Sequence, residues 1–483
     1  RQRQMCIRDS YYIVPKKAQW CILLLASAAF YMAGSVKAFA WVVLVAGMTW
    51  VTGLILGRYN AIKPADKAQK AQIQHKKKQI AIICAVCCFG LLYAMKYWNF
   101  TLELLPSALG NHIPRWDFVV PLGLSFFIFQ SMSYVIDVYR GKYAPERNPL
   151  RYGLFVSFFP QMVQGPISRF DQLAPQLTAE RKLCWDDLQI GIQLALWGYF
   201  KKIVIADRAA VLVNNVIMEN CPYGGAVIAL GILFYCIQLY CDFSGGIDIT
   251  RGVARMFGID MTLNFRRPLF STSLTDYWRR WHITLGTWFR DYVYIPLGGS
   301  RKGKARTYIN VLIVFALSGL WHGAAMKYVL WGLLFGVFQV IGSLLTPAKQ
   351  RLCAALHIPW DAGWLQIIRV IITFGLSTFA WIFFRADSAL QACAIIKRIV
   401  TAAGACFPLD LTHLGLTERA LHVLAVSLIG LVLTDIIGDR FPLREKLLET
   451  VWLRYAVWVI LLAVTAVCGA YGTGFNPQEF VYF

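Results

Sequence analysis

The stretch INVLIVFALSGLWHG, residues 309–323, combines the two properties from which the whole chain can be interpreted. It is almost entirely apolar, and it ends beside an ionisable residue, His322. The complete sequence of 483 residues shares this character, because 58% of it is hydrophobic and only 15% is charged. A soluble domain carries about 25% charged residues, so much of this surface must face lipid. The composition therefore predicts an integral membrane protein.

Apolar stretches recur along the entire chain, although several are shorter than the roughly 20 residues that a membrane-spanning helix needs. The pattern predicts an all-α, polytopic fold with about ten to twelve spans plus re-entrant and interfacial helices. The predicted spans are residues 11–31, 38–56, 80–97, 119–136, 190–205, 226–240, 311–320, 328–345, 367–384, 420–437 and 451–471.

The spread of these spans predicts a single membrane domain over residues 11–483. Residues 1–10 are polar and unlike the apolar run after them, and we expect them to be a truncated or foreign start. The basic loop 58–78 is expected to lie on the cytoplasmic side. The interrupted run 153–165 suits a re-entrant segment, whose irregular backbone must be buried in protein or line a wet cavity.

The charge balance is strongly basic, with 48 Lys and Arg against 26 Asp and Glu. In a soluble protein this would suggest nucleic acid, but here the basic residues cluster between apolar runs and form no nucleic-acid motif. We attribute the excess to cytoplasmic loops and contact with anionic lipid. The 13 cysteines follow neither a disulfide framework nor metal-site spacing, so no metal is predicted.

His322 is the first candidate for chemistry, because an ionisable side chain at membrane depth is a functional hypothesis by default. Ser318 precedes it by one helical turn and could hydrogen-bond to its ring. Gly319 and Gly323 form a small-residue pair that lets a backbone or substrate approach closely. Desolvation would keep the ring neutral, as a general base requires. A histidine packed between helices explains the residues equally well.

His282 lies in DYWRRWHITLGTWFRDYVYIPLGGSRKGK, residues 276–304. Trp278, His282, Leu285 and Phe289 recur at helical spacing, which predicts one amphipathic helix with an aromatic face. Asp276 and Arg280 would form an i,i+4 ion pair. An arginine costs about 2.5–3.5 kcal/mol at a bilayer centre, so those of this segment must lie at an interface or in an aqueous funnel. A helix that simply lies on the membrane surface remains the alternative.

Two carboxylates, Asp242 and Asp248, stand beside an apolar run in CDFSGGIDITRG, residues 241–252. Buried carboxylates need partners, and the nearby arginines are the candidates. Coordination of a cation is the weaker interpretation, since no third ligand accompanies them.

Several long motifs occur in succession across residues 121–331. They are PLGLSFFIFQSMSYVIDVYRG (121–141), FFPQMVQGPISRF (158–170), DFSGGIDITRGVARMFGI (242–259), NFRRPLFSTSLTDYWRRWHITLGTWFRDYVYIPLGGSR (264–301) and SGLWHGA (318–324). In this order they resemble the membrane-bound O-acyltransferase family, in particular the branch of alginate O-acetyltransferases and of D-alanyl transfer proteins for teichoic acid.

The resemblance implies a ring of tilted helices around a central funnel, with His322 as the catalytic histidine and His282 as a second one on the cytoplasmic side. It implies an acyl donor, acetyl-CoA or an acyl carrier thioester, as a substrate and no bound cofactor. The residues that it would place along the funnel or the substrate site are Trp321, Ser318, Trp278, Arg279, Arg280, Trp281, Asp242 and Asp248.

The resemblance further implies a bacterial inner-membrane enzyme that acetylates an extracellular polysaccharide. Its expected partners are a cytoplasmic carrier protein or other donor, membrane lipid, and an extracytoplasmic acetyltransferase-like protein. Two departures leave the acceptor open: the family's GYSD reads GGID at 245–248, and a WGLLHG-like stretch has Phe335 in place of histidine. D-alanyl transfer to teichoic acid, a polysaccharide or lipid exporter, and a non-enzymatic scaffold are the alternatives.

Overall fold

The computed structural model describes residues 2–106, 110, 112–118, 120–162, 164–218, 222–402, 411–440 and 449–470. Within these ranges every regular element is a helix, which confirms the all-α prediction. The α-helices are α1 (Gln2–Ile13), α2 (Gln19–Gly34), α3 (Val36–Ala61), α4 (Lys67–Leu92), α5 (Trp98–Leu104), α6 (Leu124–Tyr139), α7 (Pro149–Ser157), α8 (Phe170–Thr178), α9 (Trp185–Tyr199), α10 (Asp207–Val216), α11 (Gly225–Arg255), α12 (Leu274–Arg280), α13 (Ile283–Phe289), α14 (Lys304–His322), α15 (Met326–Ala355), α16 (Gly363–Arg385), α17 (Ala389–Thr401), α18 (Glu418–Arg440) and α19 (Val451–Cys468).

Seven helical segments in the described part of the chain are long and apolar enough to cross a membrane. They are Val36–Ala61, Lys67–Leu104, Gly225–Arg255, Met326–Ala355, Gly363–Arg385, Glu418–Ile437 and Val451–Cys468. This number is lower than the predicted ten to twelve, because some predicted spans form shorter helices. The predicted span 11–31 is divided between α1 and α2, and 119–136 falls mostly on α6, which has 16 residues. Residues 119 and 471, at the ends of two predicted spans, lie outside the described residues.

The chain divides into two compact units. The first consists of Arg1–Ile192 and Thr250–Thr262, and the second of Gln193–Ile249 and Leu263–Tyr482. In the first unit, α6 is buried on nearly its whole circumference, and its buried residues include five polar ones: Ser125, Gln130, Ser131, Ser133 and Asp137.

The predicted irregular segment 153–165 also belongs to the first unit. It leaves α7 at Ser157 and continues as buried irregular backbone with one short 3-10 turn, Phe159–Gln161. The amide of Gln161 donates to Gln130 Oε1 over 2.9 Å, and the Phe159 N–H donates to Ser27 Oγ over 3.1 Å. The described residues of this segment, which exclude residue 163, are thus mostly buried in protein, one of the two surroundings expected for irregular backbone.

In the second unit, α14 and α15 form a hairpin whose backbones touch. A Cβ built on Gly319 would overlap the carbonyl oxygen of Tyr328, and one on Gly332 would overlap that of Phe315. A Cβ on Gly323 would overlap the Tyr328 ring. The prediction of a small-residue contact at Gly319 and Gly323 is confirmed, and this contact fixes the end of α14 that carries His322.

Candidate functional site

His322 is the last residue of α14, and the chain turns into extended backbone at Gly323. Its ring lies edge-on to three aromatic side chains, with ring centroids 4.8 Å from Trp321, 5.0 Å from Trp331 and 5.3 Å from Phe384. His322 is only 8% exposed. The end of α14 therefore places the imidazole of His322 among aromatic side chains that exclude most water from it.

The predicted hydrogen bond between Ser318 and the His322 ring is absent from the described part of the chain. Ser318 is buried one turn earlier on α14 and lines a neighbouring cavity instead. Their shared helical face was predicted correctly, but the hydroxyl and the ring point to different surroundings.

The prediction of one continuous amphipathic helix through His282 is wrong. The structure ends α12 at Arg280 and begins α13 at Ile283, with His282 in a left-handed conformation at φ 45° between them. The cause is a distant segment: the Ile283 N–H donates to the carbonyl of Asn264 over 2.9 Å, and the Thr284 N–H donates to the Asn264 side chain over 3.0 Å. These bonds start a new helix and override the local spacing.

The break turns His282 into the interior of the second unit, where it is 1% exposed. Its ring lies 5.0 Å from the Phe243 ring and 5.9 Å from the Trp321 ring, measured between centroids. Burial lowers the pKa of His282 to about 3, so the ring is neutral near pH 7. Trp321 contacts both His282 and His322 and is the side chain that lies between the two histidines.

A cavity of about 560 Å³ lies beside His282. Its volume is in the range of small-molecule sites. It brings together four of the predicted site residues, which are Trp278, Arg279, His282 and Ser318. The other lining residues are Thr275, Ile283, Leu285, Gly286, Thr287, Phe289, Arg290, Tyr294, Val311, Val314, Phe315 and Gln339. The wall is thus mainly apolar and aromatic, with a few polar groups.

The other two predicted site residues of the same segment, Arg280 and Trp281, do not line this cavity. Arg280 Nε donates to Asp276 Oδ1 over 2.9 Å, which confirms the predicted i,i+4 pair. Trp281 is 3% exposed and stacks on Tyr277, with centroids 5.6 Å apart. Two consecutive arginines therefore have different surroundings, since Arg279 faces the cavity and Arg280 is held by a carboxylate.

The nearby arginines were the expected candidates to pair with Asp242 and Asp248, and the ion pairs that the structure describes for these carboxylates are with lysines. Lys202 bonds to Asp242 and lies 3.1 Å from Asp207, while Lys201 lies 2.7 Å from Asp248. Both lysines belong to a π-helical turn, Phe200–Ala206. Adjacent residues project about 100° apart on a regular α-helix, and the wider π turn reduces that angle, so both can reach α11.

The first glycine of the GGID sequence, Gly245, serves this packing. A Cβ on Gly245 would overlap the carbonyl oxygen of Gly198, and one on Gly198 would overlap that of Gly245. The backbones of α9 and α11 therefore touch, which brings the lysines of the following turn within reach of the carboxylates. The sequence held a signal for this network, namely two adjacent lysines inside the apolar run 190–205.

A second cavity of about 460 Å³ contains Asp248 but neither histidine. Its charged lining residues are Lys201, Asp248, Arg266, Arg267 and Asp435, and its other lining residues are Leu194, Trp197, Tyr240, Ser244, Ile247, Leu263, Asn264 and Phe265. Asp242 lines neither cavity. Of the predicted histidines and carboxylates, His282 thus lines the first cavity and Asp248 the second, whereas His322 and Asp242 line neither of these two.

Comparison with known proteins identifies a family and several proteins with similar sequences. The model of the membrane-bound O-acyltransferase family matches residues 113–383, which include both histidines. A probable alginate O-acetylase from Pseudomonas syringae pv. tomato is 34% identical over 388 residues, covering 78% of this chain and 69% of that protein. A peptidoglycan O-acetyltransferase from Helicobacter pylori is 31% identical over 419 residues, covering 81% and 75%. A teichoic acid D-alanyltransferase from Bacillus subtilis is 27% identical over 309 residues, covering 61% and 74%.

Proposed function

The chain belongs to the membrane-bound O-acyltransferase family, and from this premise we propose that it acetylates a hydroxyl of an extracellular polysaccharide. It is an O-acyltransferase of a membrane, so the exporter and scaffold alternatives lose their support. The choice of acetyl and of polysaccharide is supported by the alginate and peptidoglycan O-acetyltransferases, which match more of the chain, at higher identity, than the D-alanyltransferase does.

In the proposed reaction His322 is the general base. It takes the proton of the acceptor hydroxyl while the oxygen attacks the thioester carbonyl of the donor. The new C–O bond forms, the C–S bond breaks, and the thiolate receives the proton from His322 to leave as a thiol. The observation that carries this role is the burial of His322 at the end of α14 among Trp321, Trp331 and Phe384, within the family match.

The donor is proposed to reach His322 through the cavity beside His282. Acetyl-CoA and acyl carrier proteins both present a phosphate-bearing arm, and Arg279 and Arg290 on the cavity wall supply cationic donors for it. His282 and Ser318 offer polar contacts to the thioester end, and Trp278 and Trp321 shape the passage. The thioester is consumed as substrate, and no bound cofactor is required.

The setting of the enzyme is part of the same proposal. We place it in the bacterial inner membrane, with the donor or its carrier protein on the cytoplasmic side and polysaccharide as the final acceptor outside. An extracytoplasmic acetyltransferase-like protein would complete the transfer. Arg280, Trp281, Asp242 and Asp248 are given structural roles here, because their contacts are with other side chains of the protein.

Replacement of His322 tests the proposal. His322→Ala in cells that lack the native protein should abolish ester-linked acetyl on the exported polysaccharide, since removal of a general base costs about 10²–10⁴-fold in rate. His75→Ala is the matched control, because His75 is exposed on α4. Wild-type acetylation by a stably produced His322→Ala protein would refute the role of His322.

D-alanyl transfer is the second candidate, and the teichoic acid D-alanyltransferase relatives favour it. The same cells distinguish the two products. Mild base releases either ester from the polymer fraction, and mass spectrometry identifies acetate or D-alanine. If the released ester group is D-alanine without acetate, and its release depends on His322, D-alanyl transfer replaces the proposed acetyl transfer.

A further inference from the structure

Asn264 is fully buried and holds the break between α12 and α13 with both its backbone and its side chain. Its carbonyl accepts the Ile283 N–H over 2.9 Å. Its side-chain oxygen accepts the N–H of Thr284 over 3.0 Å and the hydroxyl of the same residue over 2.9 Å. The same oxygen lies 3.3 Å from Nδ1 of His282. One amide thus contacts a helix start and a candidate site histidine together.

The contact with Thr284 decides which end of the amide faces His282. A backbone N–H can only donate, so the atom of Asn264 that it meets must be the oxygen. That oxygen has only lone pairs to offer, and a second lone pair on Nδ1 of His282 would be repelled. The contact is a hydrogen bond only if Nδ1 carries the proton and donates to Asn264.

A neutral imidazole carries one proton, so a proton on Nδ1 places the lone pair on Nε2. Burial keeps the His282 ring neutral, as its pKa of about 3 indicates. His282 also sits in the left-handed region, which costs free energy in a non-glycine residue and persists where surrounding bonds hold it. Asn264 supplies such bonds to the two residues after His282, and on the other side the Arg266 N–H donates to the carbonyl of Arg280 over 2.8 Å.

We propose that Asn264 is a positioning residue that fixes His282 in the Nδ1-protonated tautomer, so that Nε2 is the nitrogen offered to the substrate. This inference rests on the proposed acyl transfer, in which His282 lines the donor cavity. Nε2 then accepts a hydrogen bond from the donor thioester arm or the acceptor hydroxyl. In the other tautomer, that nitrogen would be a donor and could not accept a proton.

The alternative is that Asn264 merely caps α13. Asn264→Asp separates the two roles, because a carboxylate still accepts the Thr284 N–H but places a negative charge against Nδ1 of His282. The charge favours the imidazolium and raises its pKa by about 1–3 units. Protonation consumes the Nε2 lone pair, so the variant should gain an acid limb between about pH 4 and 6 that the wild type lacks.

The surroundings of His282 contain other groups that bear on this profile. Arg279 and Arg290 line the same cavity, His322 lies beyond Trp321, and two arginines, Arg266 and Arg267, come shortly after Asn264. None of them differs between the wild type and Asn264→Asp. A new acid limb in the variant therefore reports on His282.

The experiment uses the whole chain in membranes, assayed with acetyl-CoA at a series of pH values. Thr284→Val is the matched control, since it removes the hydroxyl bond to Asn264 but keeps the backbone N–H. We expect the control to retain the wild-type pH profile. An Asn264→Asp protein whose profile superimposes on that of the wild type would refute the positioning role and leave only the cap.

A spectroscopic measurement makes the inference independent of turnover. Nitrogen-15 NMR of the histidine-labelled protein, with His282→Gln used for assignment, distinguishes the two neutral tautomers. The wild type should show protonated Nδ1 at His282, and Asn264→Ala should lose this state. Protonated Nε2 in the wild type would overturn the inference even if His322→Ala is inactive, whereas an active His322→Ala protein would overturn the proposed function alone.

Discussion

The two cavities of the second unit differ in the charged residues on their walls and in the partners of those residues. The wall of the second cavity contains oppositely charged residues in contact, such as Lys201 with Asp248 at 2.7 Å and Arg267 with Asp435 at 3.9 Å. The wall of the first is aromatic and aliphatic around His282, and its cations are Arg279 and Arg290, of which Arg290 pairs with the neighbouring Asp291 over 2.9 Å. Charges that neutralise one another hold helices together, whereas a neutral imidazole in apolar surroundings remains able to exchange a proton. The difference separates a structural network from a site suited to chemistry.

The largest expected effect is on the ion pairs of Lys202, which follows the cavity-lining Lys201 in the same π-helical turn. Lys202→Met leaves Asp242 and Asp207 buried without their cation, and loss of one partner from a buried pair costs about 3–5 kcal/mol. Thermal unfolding in detergent should show a strongly lowered midpoint. Lys67→Met is the control, since Lys67 is exposed at the first position of α4. An unchanged unfolding midpoint for Lys202→Met would show that these ion pairs do not stabilise the fold.

The next effect concerns the pH dependence of stability. Burial raises the pKa of Asp207 from 3.8 to about 6 although Lys202 opposes the shift. A raised pKa means that the folded protein binds the proton more tightly than the unfolded chain. Protonated Asp207 therefore adds about 3 kcal/mol to the free energy of unfolding below about pH 4. This contribution is lost as the pH rises through about 6.

Asp207→Asn removes this titration. The difference between unfolding midpoints at pH 4.5 and pH 7 should be smaller in the variant than in the wild type, when other conditions are equal. An identical pH dependence in both proteins would show that Asp207 titrates alike in the folded and unfolded states.

The smallest effect lies on the wall of the first cavity. Arg279→Ala removes a cation that we propose binds the donor's phosphate, so KM for the donor should rise about tenfold with little change in kcat. Arg280→Ala is the matched control, because Asp276 holds Arg280 outside the cavity wall. Equal changes in KM for the two variants would remove the distinction between these neighbours.

The membrane class, several of the spans and the position of His322 could be predicted because they depend on local composition. The apolar run 309–323 carries both the helix and its terminal histidine in one segment. The contact at Gly319 could also be inferred, since small residues spaced by four on a helix face favour close packing.

The break at His282 could not be predicted, because its cause lies 18 residues earlier in the chain at Asn264. Helical spacing across Trp278 and His282 is a local signal, and a tertiary hydrogen bond overrode it. The partners of Asp242 and Asp248 were missed for a related reason. Distance along the sequence favoured arginines, whereas the contact of Gly198 with Gly245 brings a lysine pair from another helix.

The backbone contact between α14 and α15 has a mechanical consequence. With Gly319 against the Tyr328 carbonyl and Gly332 against that of Phe315, neither helix can slide past the other without a collision. The backbone that carries His322 is therefore held in place, and in the proposed reaction the acyl group and the hydroxyl would both have to reach it. A change in substrate preference would then come from residues that line the paths to His322, while the position of His322 itself stays unchanged.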